Sequence, residues 1–225
     1  MPIGRDRRTS AARARAGRCN RGWACGLALA PQARWVLALD LTPKMIAAAL
    51  AHVRRAGAAN VAAVVEDAES LPIATASIDI VTCRIAPHHF PSTERFVAEA
   101  ARVLSPNGRF ILIDSTVPEG SVGMFYNEFE CLRDPSHVRS LTVGEWCDVI
   151  SRAGLALRTI EHFPKTHQFE DWTERMHVPS EIRAALTERM RNAPRAVWDV
   201  FRPVWDGDRL VAFTDTKTLF AAHKA

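Results

Sequence analysis

The chain has 225 residues, enough for one domain with a sizeable buried core, and its 48% hydrophobic and 24% charged content is ordinary for a globular protein. Its formal charge of +4 is unevenly placed: residues 1–30 hold seven arginines against one acid, leaving residues 31–225 with 22 basic and 24 acidic side chains. A nearly neutral body lacks the electrostatic footprint of a nucleic-acid binder, and no apolar run reaches the roughly 20 residues of a membrane span. The five cysteines are odd in number, scattered and without a CxxC pair. They point to a reducing, cytoplasmic setting and away from a disulfide framework or a zinc or other metal site.

Residues 1–25 read as an atypical basic arm, rich in Arg and Ala, that buries too little to offset its ordering entropy. Its composition is also that of a targeting segment, although the apolar patch "WACGLALA" is short for a secretory core. From Gly26 the chain alternates strand and helix. "WVLALD", residues 35–40, is a buried strand ending on Asp40. Thr42 offers a helix cap before Pro43, and Met45, Ile46, Ala49, Leu50 and Val53 form one apolar stripe that Gly57 terminates. "VAAVV", 61–65, is the next strand, with "EDAESLP" as its exit loop, and "IDIVTC", 78–83, the one after, leaving through "RIAPHHFP".

Ser92 caps a helix with Phe96, Val97, Ala100, Ala101 and Leu104 on its buried face. "SPNG" then turns the chain into the strand "RFILID", 109–114. Thr142 and Glu145 form a capping box for a helix carrying Trp146, Val149 and Ile150, which Gly154 stops. Residues 155–163 read as a strand and "LVAFTDTKTLFAAHK" as the last one or two. This rhythm predicts an α/β fold, a doubly wound, mostly parallel sheet over residues 26–225, with helical insertions at about 115–140 and 164–205. Trp146, Trp172, Trp198 and Trp205 cluster in the second half, either as a lid over a substrate or as an extra packed layer.

The strings "VLALDLTPKMIAAA" and "VEDAESLPIATASIDIVTCRIAPHHFPSTERFVAEAARVLSPNGRFILID" resemble the class I S-adenosylmethionine-dependent methyltransferases. Within that class they are most similar to the small-molecule group typified by the ubiquinone and menaquinone C-methyltransferases (methyltransferase type 11). The resemblance implies a Rossmann-like fold and S-adenosyl-L-methionine as cofactor. It places Asp40 on the ribose hydroxyls, Asp67 on the adenine amino group with the Ala68 backbone beside the ring, and Leu41 and Met45 flanking the adenosine. Cys83 and Arg84 would position the methionine end. Read alone, Asp40 is equally a helix cap, Asp67 a surface turn, Leu41 and Met45 core, and Cys83 an inert buried thiol. The loop after 78–83 lacks the Asn/Asp-Pro-Pro-aromatic signature of amino-group methylation, which points to a small-molecule carbon or oxygen acceptor.

His88 and His89 stand at the ligand side of such a sheet. They suit removal of the acceptor's proton, unless they merely bond the loop backbone. The family also has a first strand and a DxGxGxG-like turn, which "SAARARAGRCNRGWACG" lacks: Gly17, Gly22 and Gly26 are wrongly spaced, and Arg13, Arg15 and Arg18 do not suit a strand buried on both faces. The segment before Gly26 is therefore read as an out-of-frame or decayed replacement, a divergent authentic arm being the alternative. The function that follows is methyl transfer to a small molecule, impaired at the cofactor loop. Its rivals are a non-catalytic relic serving as an interaction module and a nicotinamide oxidoreductase, which explains neither "EDAESLP" nor "SPNGRFILID".

Overall fold

The computed structural model describes residues 14–19, 26 and 28–224. Five strands carry the first half: β1 (Ala14–Cys19), β2 (Val36–Asp40), β3 (Val61–Val65), β4 (Ile78–Arg84) and β5 (Leu104–Thr116). They lie in the order β3-β2-β1-β4-β5, every neighbouring pair parallel. Three later strands, β6 (Leu155–Gln168), β7 (Val204–Asp206) and β8 (Arg209–Lys224), join antiparallel: β8 lies against β5, and both β6 and β7 pair with β8. The α/β, mostly parallel sheet expected from the alternation is thus present.

The first strand is not missing, contrary to the sequence expectation. β1 runs down the middle of the sheet, with Gly17 in register with Ala38 of β2 and Thr82 of β4. The physical reason is that a ladder is made of main-chain N–H and C=O groups, which every residue but proline supplies in full. Two flanking strands with unpaired edges accept a segment whose side chains alone argue against it. The loose basic arm expected over residues 1–25 instead contributes residues 14–19 to the sheet as β1, and the rest of that arm, where the glycine turn is expected to be missing, lies outside the described residues.

Helix α1 (Pro43–Arg55) follows β2 and buries Ile46, Ala49 and Val53. Thr42 stands at its N-cap position but makes no side-chain cap; its N–H instead donates to Asp40 Oδ1 at 2.9 Å. Helix α2 (Thr93–Val103) is capped as expected, Ser92 Oγ accepting the Arg95 N–H at 3.2 Å. Helix α3 (Ser121–Arg133) precedes α4 (Val143–Arg152), whose capping box is complete: Thr142 Oγ1 accepts from Glu145 N at 3.1 Å and Glu145 Oε2 from Thr142 N at 2.8 Å. Such caps contribute about 0.5–2 kcal/mol each. Gly154 follows α4 at a φ of 77°, in the left-handed region that glycine enters without steric cost.

Two apolar cores result. One joins α2 and α4 to the sheet through Val97, Ala100, Phe110, Trp146, Ile150 and Phe220. The other lies where α3 packs with α5 (Phe169–Glu174), α6 (Ser180–Arg191) and α7 (Arg195–Phe201) over the extended end of β8. Trp172 stacks on Phe129 with ring centroids 5.3 Å apart, and Tyr126 stacks on Phe201 at 5.2 Å. These rings hold the extra helical layer together, and that layer roofs the polar cluster described below. Among the described residues no helix is long and apolar enough to cross a membrane.

Candidate active site

Parallel strands leave the sheet on one edge, so the C-terminal ends of β2, β3, β4 and β5 gather side chains from four loops there. Asp40 ends β2 and is buried at 8% exposure. Its Oδ1 takes the Thr42 N–H, while Oδ2 accepts no hydrogen bond among the described residues. Leu41 beside it is 61% exposed, a large apolar side chain left standing at the edge. Met45, on the first turn of α1, is half-buried. Asp67 follows β3 and is exposed, its Oδ1 accepting the Glu69 N–H at 2.9 Å, and Ala68 is buried in the core.

The loop carrying Asp67 is fastened from α2. Glu69 accepts the Ser92 N–H and pairs with Arg95, while Glu99 accepts the Leu71 N–H at 2.7 Å. Arg102 then donates to the carbonyls of Leu71 and Ile73. Cys83 and Arg84 end β4 at the same edge, but the Cys83 side chain belongs to the core at 1% exposure. Ile85 turns the chain outward at a φ of 50°, an unfavourable conformation for a β-branched residue that marks this loop as constrained.

His88 and His89 sit in a short 3-10 turn, Pro87–His89, just beyond. The structure separates them. His88 is buried, its Nδ1 2.7 Å from Asp114 Oδ1, and Asp114 Oδ2 accepts the His88 main-chain N–H at 3.0 Å. Burial opposes the charged imidazole, but the Asp114 carboxylate outweighs it and raises the His88 pKa above its ordinary value. Because Asp114 only accepts, Nδ1 carries the proton and Nε2 presents its lone pair whenever the ring is neutral. His89 is half-buried and donates Nδ1–H to the Ser136 carbonyl at 3.0 Å; burial, then the charge on His88, lower its pKa.

A third histidine, His137, escaped the sequence reading. Its ring centroid lies 5.4 Å from that of His88 and 6.5 Å from that of His89. Asn127 Oδ1 accepts both the Ser140 N–H at 2.7 Å and His137 Nε2 at 2.9 Å, which fixes the amide orientation and the histidine tautomer together. Burial, then the charge on His88, push the His137 pKa down to about 4. The loop is drawn over the turn by the His88 carbonyl, which accepts N–H groups from Val138 and Arg139.

Asp114 was equally missed as a functional group, although "RFILID" ends on an acid just as "WVLALD" does. Behind it Lys217 of β8 donates to Ser115 Oγ at 2.6 Å and to Asp215 Oδ2 at 2.7 Å. The Tyr126 hydroxyl lies 2.8 Å from Asp215 Oδ2 and 3.0 Å from Glu130 Oε1, and Arg133 pairs with Glu130 at 2.8 Å. His167 Nε2 lies 3.0 Å from Asp215 Oδ2. Burial opposes the Asp215 carboxylate, but Lys217 and His167 hold its pKa well below the usual range. Among the described residues no group of three or more His, Cys, Asp and Glu side chains is arranged to hold a metal ion.

Comparison with known proteins places this edge in a family context. Residues 17–112 match the methyltransferase-domain family, a match that begins inside β1. The chain is 35% identical over 176 residues to the uncharacterized methyltransferase YcgJ of Bacillus subtilis, spanning 78% of this chain and 70% of the relative. It is 31% identical over 191 residues to the uncharacterized protein YafE of Escherichia coli, 84% and 90% of the two chains. The crystal structure of the YcgJ protein superposes with a TM-score of 0.90, covering 95% of this chain and 92% of that one.

His137 and His88 load stability onto pH with opposite signs. The unfolded chain protonates His137 at about 6.5 and the folded one at about 4, so this stabilisation is present above pH 6.5 and lost as pH falls toward 4. His88, with its raised pKa, contributes stability below its unfolded value that is lost as pH rises through the folded one. His137→Gln should therefore flatten the fall in the urea midpoint between pH 6.5 and 4. An unchanged slope would contradict the assignment.

Proposed function

Since the chain belongs to the class I S-adenosylmethionine-dependent methyltransferases, we propose that it methylates an oxygen or activated carbon of a small molecule, with His88 as the general base. The observation that carries this reading is the buried His88–Asp114 pair at the edge where Asp40 and Asp67 also emerge. The edge fits the cofactor: a carboxylate oxygen of the buried Asp40 that takes no donor among the described residues suits the ribose hydroxyls, and the exposed Leu41 suits an apolar adenosine face. Asp67 and the Ala68 backbone would take the adenine, Met45 its flank, and the Cys83–Arg84 backbone the methionine end.

S-adenosylmethionine supplies an electrophilic methyl group when bound; the chain supplies alignment and removal of a proton. As the methyl is transferred, the acceptor O–H or activated C–H gives its proton to His88 Nε2. Asp114 then stabilises the imidazolium and holds its orientation. His89 and His137, both with lowered pKa values, flank the base as neutral rings, and His88, whose pKa Asp114 raises against its burial, is the strongest base of the three. The sequence between β4 and α2, "IAPHHFPS", lacks the Pro-Pro-aromatic arrangement of amino-group methylation and supports a carbon or oxygen acceptor.

Residues 20–25, "NRGWAC", stand where the family has its glycine-rich turn and hold one glycine. A segment with one glycine where the family carries several admits the cofactor less closely, and impaired binding follows. Losing two or three hydrogen bonds at about 1.5–2 kcal/mol each weakens binding by about two to four decades. Calorimetry with S-adenosylhomocysteine should find that replacing residues 20–25 with a GxGxG turn tightens binding by that amount, and that Asp40→Ala then removes most of it. Low-micromolar binding by the unaltered chain, lost in Asp40→Ala, would show the segment to be a working substitute.

The base is tested in the turn-restored protein, by following S-adenosylhomocysteine release with phenolic and enolic acceptors. His88→Gln should lower kcat by about 10²–10⁴ with unchanged cofactor affinity. Equal turnover in the variant contradicts the role.

A further inference from the structure

Behind His88 lies a set of charged side chains that the proposed reaction does not use. Glu130 of α3 and Lys217 of β8 are buried at 6% and 9% exposure, and the imidazole's Nδ1 bonds Asp114 rather than either of them. Both are nevertheless wired to it. From Lys217 Nζ the path runs to Ser115 Oγ at 2.6 Å, from the Ser115 N–H to Asp114 Oδ1 at 2.9 Å, and from there to His88 Nδ1 at 2.7 Å. Glu130 enters through the Tyr126 hydroxyl, which also meets the Asp215 carboxylate that Lys217 holds.

A cluster that only fastened the helical layer to the sheet would do so better with apolar residues, because taking ions out of water is strongly unfavourable. Charges kept in a low-dielectric interior act instead on whichever neighbour can change its protonation. His167, on Asp215, is one such neighbour, and His88, on Asp114, is the one at the site. It faces Asp114 from β5, Glu130 from α3, Lys217 from β8, His89 on its own turn and His137 in the loop after α3, while Asp134 of that loop acts on His89. The carboxylate of Glu130 favours the imidazolium and the ammonium of Lys217 disfavours it.

We propose that Glu130 and Lys217 are opposed positioning residues for methyl transfer, acting through the Ser115–Asp114 relay to set the protonation state of His88. The inference rests on His88 being the base, yet it concerns the ring itself and is tested without any acceptor. Loss of Lys217 leaves the buried carboxylates uncompensated, so His88 binds its proton more tightly. Loss of Glu130 removes a negative neighbour, so His88 releases its proton more readily.

The test is a histidine-labelled NMR titration of the full chain, with the His88 resonance assigned by its absence in His88→Gln. Lys217→Gln should move the His88 midpoint up, and Glu130→Gln should move it down, each by about one unit. Lys217→Arg, which keeps the charge, should restore the native midpoint. Movement of both in the same direction, or of neither in a folded variant, overturns the proposal. If neutralising a buried charge unfolds the chain, Tyr126→Phe decides. It keeps the stacked ring and all charges while removing the hydroxyl shared by Glu130 and Asp215, and should raise the midpoint; an unmoved midpoint overturns the proposal. Failure here with a kcat loss in His88→Gln rejects only the relay, whereas opposite shifts without that loss reject only the base.

Discussion

The parallel main-chain ladder through β1 is the constraint on which the site depends. With Gly17 in register with both Ala38 and Thr82, β1 binds the pair β2 and β3 to the pair β4 and β5. That register brings Asp40, Asp67, the Cys83–Arg84 exit and Asp114 to one edge, although 74 residues separate the first from the last. Without a strand at that place the acids of β2 and β3 would have no fixed relation to the histidines after β4. Side chains decide which face a strand buries, but the relation between loops belongs to the backbone.

This also explains what the sequence made legible. β2, β3 and β4 announce themselves by short apolar runs bounded by turns, and Asp40 stands out as an acid closing such a run. Ser92 and the Thr142–Glu145 pair announce helices through local hydrogen bonds, whose partners are three residues away. β1 was hidden because its arginines contradict the apolar pattern, while its pairing relies on groups that carry no sequence signature. Thr42 was an apparent cap whose place at the first N–H groups is partly taken by Asp40 from two residues upstream.

The chemistry was legible only in its local half. "APHHF" marks two histidines, but nothing within the motif distinguishes the buried ring paired with Asp114 from the half-buried ring on the Ser136 carbonyl. His137 approaches from 49 residues further along. Asp215 and Lys217 sit in the alternating string "TDTKT", a pattern that ordinarily marks the wet face of a strand. Here the aromatic helical layer covers that face, so the pattern marks buried charge instead. The resulting arrangement has one imidazole held on a carboxylate, beside two rings whose pKa values are lowered, with buried charges behind it.

The account's central claim is that one edge holds both the cofactor and the base. A crystal structure with S-adenosylhomocysteine tests it most directly, in the turn-restored protein if the native affinity is too low. The account predicts the ribose on Asp40, the adenine beside Asp67, and the sulfur facing the space in front of His88 Nε2. Density for the nucleoside at any other edge, or a sulfur walled off from His88, would contradict it.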